Sequence, residues 1–145
     1  QVCAGASAVC GSATSTKQDI ETVLGLFDCL GLACPVEEAH MDAVCALSGS
    51  GPAYVAALIE SLVKASVEQG LPPELAQQLA VQTVYGTAVI LRETEFDPTT
   101  LREAVSSPGG TTLAALSVMH EEGMDALYRK AVAAAVRRSK ELSEY

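Results

Sequence analysis

Two long helical segments carry no charged residue, and this feature limits most strongly what the chain can fold into. The segments are residues 43–59 and 75–91. A helix at a protein surface shows one apolar stripe, whereas these two are apolar around nearly their whole circumference for two turns or more. Such helices must be covered on every side, and a chain of 145 residues offers little else to cover them. The sequence therefore predicts that two copies interlock through these helices.

The front of the chain, residues 1–36, differs from the remainder. Small residues lead into a helix predicted at about 17–30, with Ser15 or Thr16 as its cap, and a short extended piece follows. This strand–helix–strand pattern has no further strand to pair with. We expect its strands to fray or to pair with another copy.

From residue 37 to residue 145 the pattern is helical throughout. The predicted fold class is mainly all-α with a short β-α-β remnant at the N-terminus, and the predicted domain boundary lies between residues 36 and 37. The predicted helices cover about 38–47, 52–69, 73–93, 98–106, 111–122 and 124–143.

Residues 106–112, SSPGGTT, separate two of these helices by a Pro-Gly-Gly break. Gly109 and Gly110 let the backbone approach a ligand and point its amides inward, and Thr111 and Thr112 add hydroxyls at the first turn of the next helix. A helix N-terminus carries free N–H groups and the positive end of the helix dipole. This corner therefore suits a carboxylate, and an ordinary helix–helix turn with a threonine cap is the alternative.

A second segment, ALSGSGPAYVAAL at residues 46–58, has the same design. Its small-residue loop feeds directly into a helix, and its proline falls near the first helical position, where a missing N–H costs nothing. The loop residues are Ser48, Gly49, Ser50, Gly51 and Pro52.

Together the two segments resemble the pyrroline-5-carboxylate reductase family. The resemblance covers essentially the whole chain but only the back half of that enzyme. It implies an interlocked helical dimerisation domain like the C-terminal domain of 6-phosphogluconate dehydrogenase, assembled as a homodimer or a ring of dimers. It also implies a role in proline biosynthesis, the reduction of 1-pyrroline-5-carboxylate to L-proline with NADPH or NADH.

The resemblance assigns roles to particular residues. Carried over by position, Ser107 and the amides of Gly109 to Thr112 would hold the substrate carboxylate. Thr112 would lie beside the ring nitrogen as a proton donor or part of a relay, and Glu95 would polarise a water there, although a glutamate at a helix end is more often simply solvated. Residues 48–52 would border the pocket and could come from the second subunit.

A nicotinamide enzyme needs a strand, then G-x-G-x-x-G, then a helix, and this chain has no such fingerprint. Gly5 and Gly11 are the only glycines near its start, and neither has that spacing. We therefore expect a fragment without the cofactor-binding half, inactive by itself. Two other interpretations stay open: a stand-alone helical oligomerisation module that binds no proline, and the helical domain of another two-domain NAD(P)-dependent dehydrogenase.

Composition excludes several classes of partner. The formal net charge of −9 argues against nucleic acid and against anionic membranes, and no apolar run is expected to reach the roughly 18 residues of a membrane span. His40 and His120 have no second ligand at metal spacing, so no metal site is expected. The five cysteines form no CxxC motif, which favours free thiols in a reducing compartment. We expect a cytoplasmic protein, or a mitochondrial one in a eukaryote.

Overall fold

Helices make up most of residues 2–143, the part of the chain that the computed structural model describes. Two strands, β1 (Gly5–Val9) and β2 (Gly31–Pro35), flank the first helix in sequence. The mainly α-helical class predicted from the sequence is confirmed. The helices are α1 (Lys17–Asp28), α2 (Met41–Val44), α3 (Gly51–Glu68), α4 (Pro73–Glu93), α5 (Pro98–Ala104), α6 (Thr111–Glu121) and α7 (Met124–Ser143).

Helix α1 begins at Thr16 with a reciprocal cap. The Thr16 hydroxyl oxygen accepts the Asp19 N–H at 3.2 Å, and the Asp19 carboxylate accepts the Thr16 N–H at 2.8 Å. This capping box satisfies two backbone donors that a helix start leaves without partners. Of the two caps predicted, Thr16 is the one the structure uses.

The strands β1 and β2 pair with each other. They run parallel, with Gly5 opposite Gly31 and Val9 opposite Pro35. The expectation that they would fray or pair with another copy was wrong, because the single helix α1 is a crossover long enough to bring two parallel strands side by side.

The segment at residues 48–52 is helical, so the loop predicted there was wrong. A five-residue π-helical turn, Cys45–Gly49, leads into α3, and the Ser50 N–H donates to the Cys45 carbonyl at 2.8 Å. Pro52 has no N–H to donate to the carbonyl one turn back, so the helix loses one backbone hydrogen bond there. The wider π turn accommodates this loss, and the helix continues.

The helical run Glu38–Glu68 is consequently longer than predicted. Its most apolar 18-residue window has a mean hydropathy of 1.3, and only 6% of that window is buried within the chain. By length and composition alone, this run is long and apolar enough to cross a membrane. The expectation that no apolar run reaches this length was wrong, because the π turn joins two shorter apolar segments into one helical run.

The chain divides into two compact units. The first reaches Pro52 and resumes at Tyr128, and the second is Ala53–Leu127. In the first unit, the Ser139 hydroxyl of α7 donates to the Asp42 carboxylate of α2 at 2.6 Å. The two-domain boundary predicted from the sequence stays a prediction.

Very little of the described chain is buried. Over residues 2–143 only Ala46 and Ala76 are buried, at 1% and 2% exposure. A domain of this size normally buries about two thirds of the surface of its unfolded chain. Large apolar side chains on both uncharged segments are instead open, among them Leu47 at 71% and Leu79 at 50% exposure. Their cover has to come from outside the single chain.

Candidate functional site

Helix α5, which leads to the SSPGGTT turn, has a well-formed N-terminus. The Asp97 carboxylate accepts the N–H groups of Thr99 at 2.8 Å and Thr100 at 2.9 Å, and Pro98 occupies the first helical position. The Thr100 N–H and hydroxyl, together with the Thr99 N–H, hold the pKa of Asp97 below its usual range. The structure thus starts this helix at Pro98, as the predicted range 98–106 has it.

Ser106 closes the other end of α5. Its N–H donates to the Glu103 carbonyl at 3.1 Å, and its hydroxyl donates to the Arg102 carbonyl at 2.6 Å. These two bonds use carbonyls that the end of the helix leaves without partners. They fix the direction in which the chain leaves the helix.

The next four residues, 107–110, form a tight turn. The Gly110 N–H donates to the Ser107 carbonyl at 3.0 Å, and Gly109 has a φ of +72°. Pro108 at the second position and a positive φ at the third are typical of a type II turn, which favours glycine there. The Gly110 amide, expected to point at a ligand, is used inside this turn.

Gly110 also makes room for the Ser107 hydroxyl. A Cβ atom on Gly110 would lie 2.5 Å from the Ser107 Oγ and 3.0 Å from its carbonyl oxygen. The hydroxyl therefore lies directly beside the residue that caps α6.

Helix α6 begins after Gly110, which is extended at φ −79°, ψ 165° and provides no side-chain cap. The first intrahelical bond runs from the Ala114 N–H to the Gly110 carbonyl at 3.3 Å. Among the described residues no acceptor is bonded to the N–H groups of Thr111, Thr112 and Leu113. Three donors and the positive end of the helix dipole therefore meet at one corner, as an anion requires.

The structure places the predicted carboxylate-binding residues at this corner, whereas Glu95 and residues 48–52 belong to other elements. Ser107, Thr111 and Thr112 make no side-chain hydrogen bond within residues 2–143, and Thr112 is half-buried while the other two are exposed. Leu113 was missed by the sequence interpretation, although the rule that the first turn of a helix leaves its amides free covers this position. The roles of these residues stay predictions.

Glu95 lies in the bend between α4 and α5. The Thr94 hydroxyl holds this bend, donating to the Ile90 carbonyl at 2.7 Å and accepting the Phe96 N–H at 3.2 Å. The Glu95 side chain is exposed and makes no ion pair or hydrogen bond in the part of the chain described. Its proposed effect on a water stays a prediction.

Residues 48–52 belong to the π turn and the start of α3. The Ser48 hydroxyl donates to the Val44 carbonyl at 3.0 Å, so it is already engaged. Their expected place at the border of the pocket stays a prediction.

The described residues do not fit a dinucleotide pyrophosphate. The connection from β1 to α1 contains one glycine, Gly11, where the nucleotide fingerprint needs a glycine-rich turn. Over residues 2–143 there is also no group of three metal-ligating side chains, and Cys3, Cys10, Cys29, Cys34 and Cys45 are free thiols.

Residues 38–142 match the family described as pyrroline-5-carboxylate reductase dimerisation. The chain belongs to this family. The resemblance carried by SSPGGTT and SGSGPAY is thereby confirmed, and so is the helical dimerisation-domain fold.

Individual relatives agree over the whole length of the chain. A pyrroline-5-carboxylate reductase from Synechocystis sp. is 43% identical over 141 residues, which cover 97% of this chain and 53% of that protein. The reductase structure from Coxiella burnetii superposes with a TM-score of 0.93 at 39% identity, covering 97% of this chain and 53% of that one. The Plasmodium falciparum reductase, solved with NADP bound, gives 0.85 at 32% identity, covering 93% and 52%. The chain spans about half the length of the curated relatives it matches.

Proposed function

We propose that this chain is the substrate-binding and dimerisation part of a pyrroline-5-carboxylate reductase, the oxidoreductase of proline biosynthesis that reduces 1-pyrroline-5-carboxylate to L-proline with NADPH or NADH. Membership of the dimerisation family supports the assembly role. The observation that carries the binding role is the corner at α6, where three N–H groups have no acceptor in the described chain and the Ser107 hydroxyl lies beside Gly110, the residue before them.

The substrate's carboxylate is its one fixed negative charge. The N–H groups of Thr111, Thr112 and Leu113 would donate to it, with the Ser107 hydroxyl as a fourth donor. Hydrogen bonds to an ionised acceptor contribute about 1.5–3 kcal/mol each, so two or three of them are enough for a specific site. Holding the carboxylate also fixes the orientation of the ring.

Reduction of the ring C=N bond needs a hydride at carbon and a proton at nitrogen. The nicotinamide cofactor supplies the hydride when bound, and the described residues do not fit its pyrophosphate. This chain would therefore bind the substrate, orient its ring and deliver the proton to the ring nitrogen. The Thr112 hydroxyl would donate to the ring nitrogen or relay a proton from a water that Glu95 polarises. By itself the chain would be inactive.

A second copy is the proposed cover for the exposed apolar faces of α3 and α4. The run Glu38–Glu68 ends in a charged stripe at Glu60, Lys64 and Glu68, with Lys64 and Glu60 paired at 3.8 Å, which favours protein and water over lipid as its surroundings. We propose a homodimer, alone or in a ring of dimers, with residues 48–52 of one copy bordering the pocket. The free cysteines support a cytoplasmic protein, or a mitochondrial one in a eukaryote. The net charge of −9 argues against binding to nucleic acid and to anionic membranes.

Binding of L-proline, the reaction product, tests the binding role. In ¹H–¹⁵N spectra of the chain, L-proline should shift the amides of Thr111, Thr112 and Leu113, and pyrrolidine, which lacks the carboxylate, should leave them in place. Ser107→Ala should weaken proline binding about tenfold, as expected for one hydrogen bond to a charged group. Ser117→Ala, inside α6 with its hydroxyl donating to the Glu121 carboxylate, is the matched control.

Equal shifts with proline and pyrrolidine would contradict the carboxylate site. A chain that binds neither ligand would favour the stand-alone oligomerisation module.

A further inference from the structure

The two adjacent serines of the SSPGGTT turn have different surroundings. Ser106 is half-buried, and its hydroxyl donates to the Arg102 carbonyl at 2.6 Å. The Ser107 side chain is exposed and has no hydrogen-bond partner in the described chain. The Ser106 hydroxyl is thus bonded to the end of α5, whereas the Ser107 hydroxyl is available to a ligand.

Little backbone freedom remains between Ser106 and the start of α6. Ser106 is held by two bonds to α5, and Pro108 restricts Ser107 to extended conformations. Pro108 has a fixed φ, Gly109 takes the positive φ of the turn, and the Gly110 N–H closes it onto the Ser107 carbonyl. The direction of the Ser107 hydroxyl therefore depends on how firmly Ser106 is anchored.

We propose that Ser106 is a positioning residue, whose hydroxyl closes α5 and thereby sets the Ser107 hydroxyl in the geometry that holds a carboxylate. This inference rests on the proposed function. Ser106 itself touches no substrate; it acts through Ser107.

Proline affinity, measured by calorimetry on the chain, gives the first test. Ser106→Ala should weaken L-proline binding about threefold to tenfold, the range expected when one hydrogen bond is lost. Ser106→Thr keeps the hydroxyl and should restore the affinity. Ser61→Ala is the matched control, because the Ser61 hydroxyl makes the same kind of bond, to the Ala57 carbonyl at 2.9 Å inside α3. Should Ser106→Ala not fold, Ser106→Cys replaces it, since a thiol is a weak donor of similar size.

A double-mutant cycle separates positioning from general destabilisation. If Ser106 acts through Ser107, the double variant Ser106→Ala/Ser107→Ala binds proline no more weakly than Ser107→Ala alone. Additive losses would overturn the proposal. A further readout needs no ligand: exchange of the Gly110 amide should become several-fold faster in Ser106→Ala and stay unchanged in Ser61→Ala, and no increase would also overturn it.

Comparing Ser106→Ala with Ser107→Ala distinguishes the positioning role of Ser106 from the proposed carboxylate site. Loss of proline affinity in Ser107→Ala with none in Ser106→Ala overturns the positioning role and leaves the carboxylate site standing. No loss in either variant, or no binding by the unmodified chain, overturns both.

Discussion

The absence of a side chain at Gly110 leaves room for the Ser107 hydroxyl. An alanine there would bring its Cβ to 2.5 Å from the Ser107 Oγ, closer than real Cβ contacts, so the hydroxyl must move. The φ of Gly110 is −79°, which alanine accepts, so the helix itself should form normally. Gly110→Ala should therefore weaken L-proline binding about tenfold, measured by calorimetry, with unchanged helicity.

Gly25→Ala is the control for that variant. Gly25 lies inside α1, and a Cβ there would meet nothing within 4 Å. It should leave proline affinity unchanged and stabilise its helix by about 0.5–1 kcal/mol. Equal affinities for proline in the two variants would contradict the role of the Ser107 hydroxyl.

Thr112 offers a second test at the scale of a single residue, in a chimera that joins this chain to the cofactor-binding half of a reductase relative. If its hydroxyl delivers or relays the proton, Thr112→Ala should lower kcat about tenfold or more and raise KM less. Thr111→Ala, one residue earlier with an exposed side chain, is the comparison. Unchanged turnover in Thr112→Ala would remove this hydroxyl from the mechanism.

The sequence predicted which residues gather at the turn, because proline, two glycines and two threonines have strong local preferences. It could not predict which donors stay free. The Gly110 amide is used by the turn and the Leu113 amide is left open, and both facts depend on the turn type and on where α6 starts. The sequence also could not distinguish Ser106 from Ser107, because which of the two serines bonds to α5 depends on the residue at which that helix ends.

Among the helices, α5 has a pH-dependent start. Because the pKa of Asp97 is lowered in the folded chain, its cap contributes stability above the unfolded-state pKa of about 3.9, and this contribution is lost as the pH falls through the lower folded-state value. Asp97→Asn keeps a capping side chain that does not titrate. From pH 7 down to about pH 3, Tm should fall a few °C less in Asp97→Asn than in the unmodified chain.

Thermal melts across that pH range check this prediction. Glu103→Gln is the control in the same helix, because the Glu103 side chain makes no hydrogen bond within residues 2–143. It should follow the unmodified chain at every pH. Identical acid responses for Asp97→Asn and the unmodified chain would show that the cap contributes nothing.

Helix positions were predictable from periodicity and caps, and the two errors at this scale have physical causes. Small residues at 48–51 indicated a loop, but the chain stays helical because a π turn compensates for the N–H that Pro52 lacks. The strands were expected to fray or to pair with another copy. This was wrong because strand pairing depends on residues distant in sequence, which composition alone does not reveal. In the structure β1 and β2 pair across α1, from Gly5 to Val9.

For the whole molecule, the uncharged stretches on α3 and α4 were the clearest signal, and the structure leaves them open. Leu79 lies in the second of these stretches at 50% exposure. If a second copy covers it, Leu79→Asp would bury an unpaired charge in the interface and should shift the chain towards monomer. Gln18→Asp, on α1 outside the family match, should leave the mass unchanged. Equal masses for both variants would mean that Leu79 is not covered.

Sedimentation velocity on the purified chain, over a range of concentrations with and without L-proline, is the sharpest test of whether two copies associate through α3 and α4. A mass of twice 15.0 kDa or a multiple of it, persisting on dilution, is the predicted result, and proline should stabilise that species further. A monomer of 15.0 kDa at all concentrations would contradict it, because the apolar faces of α3 and α4 would then have no cover.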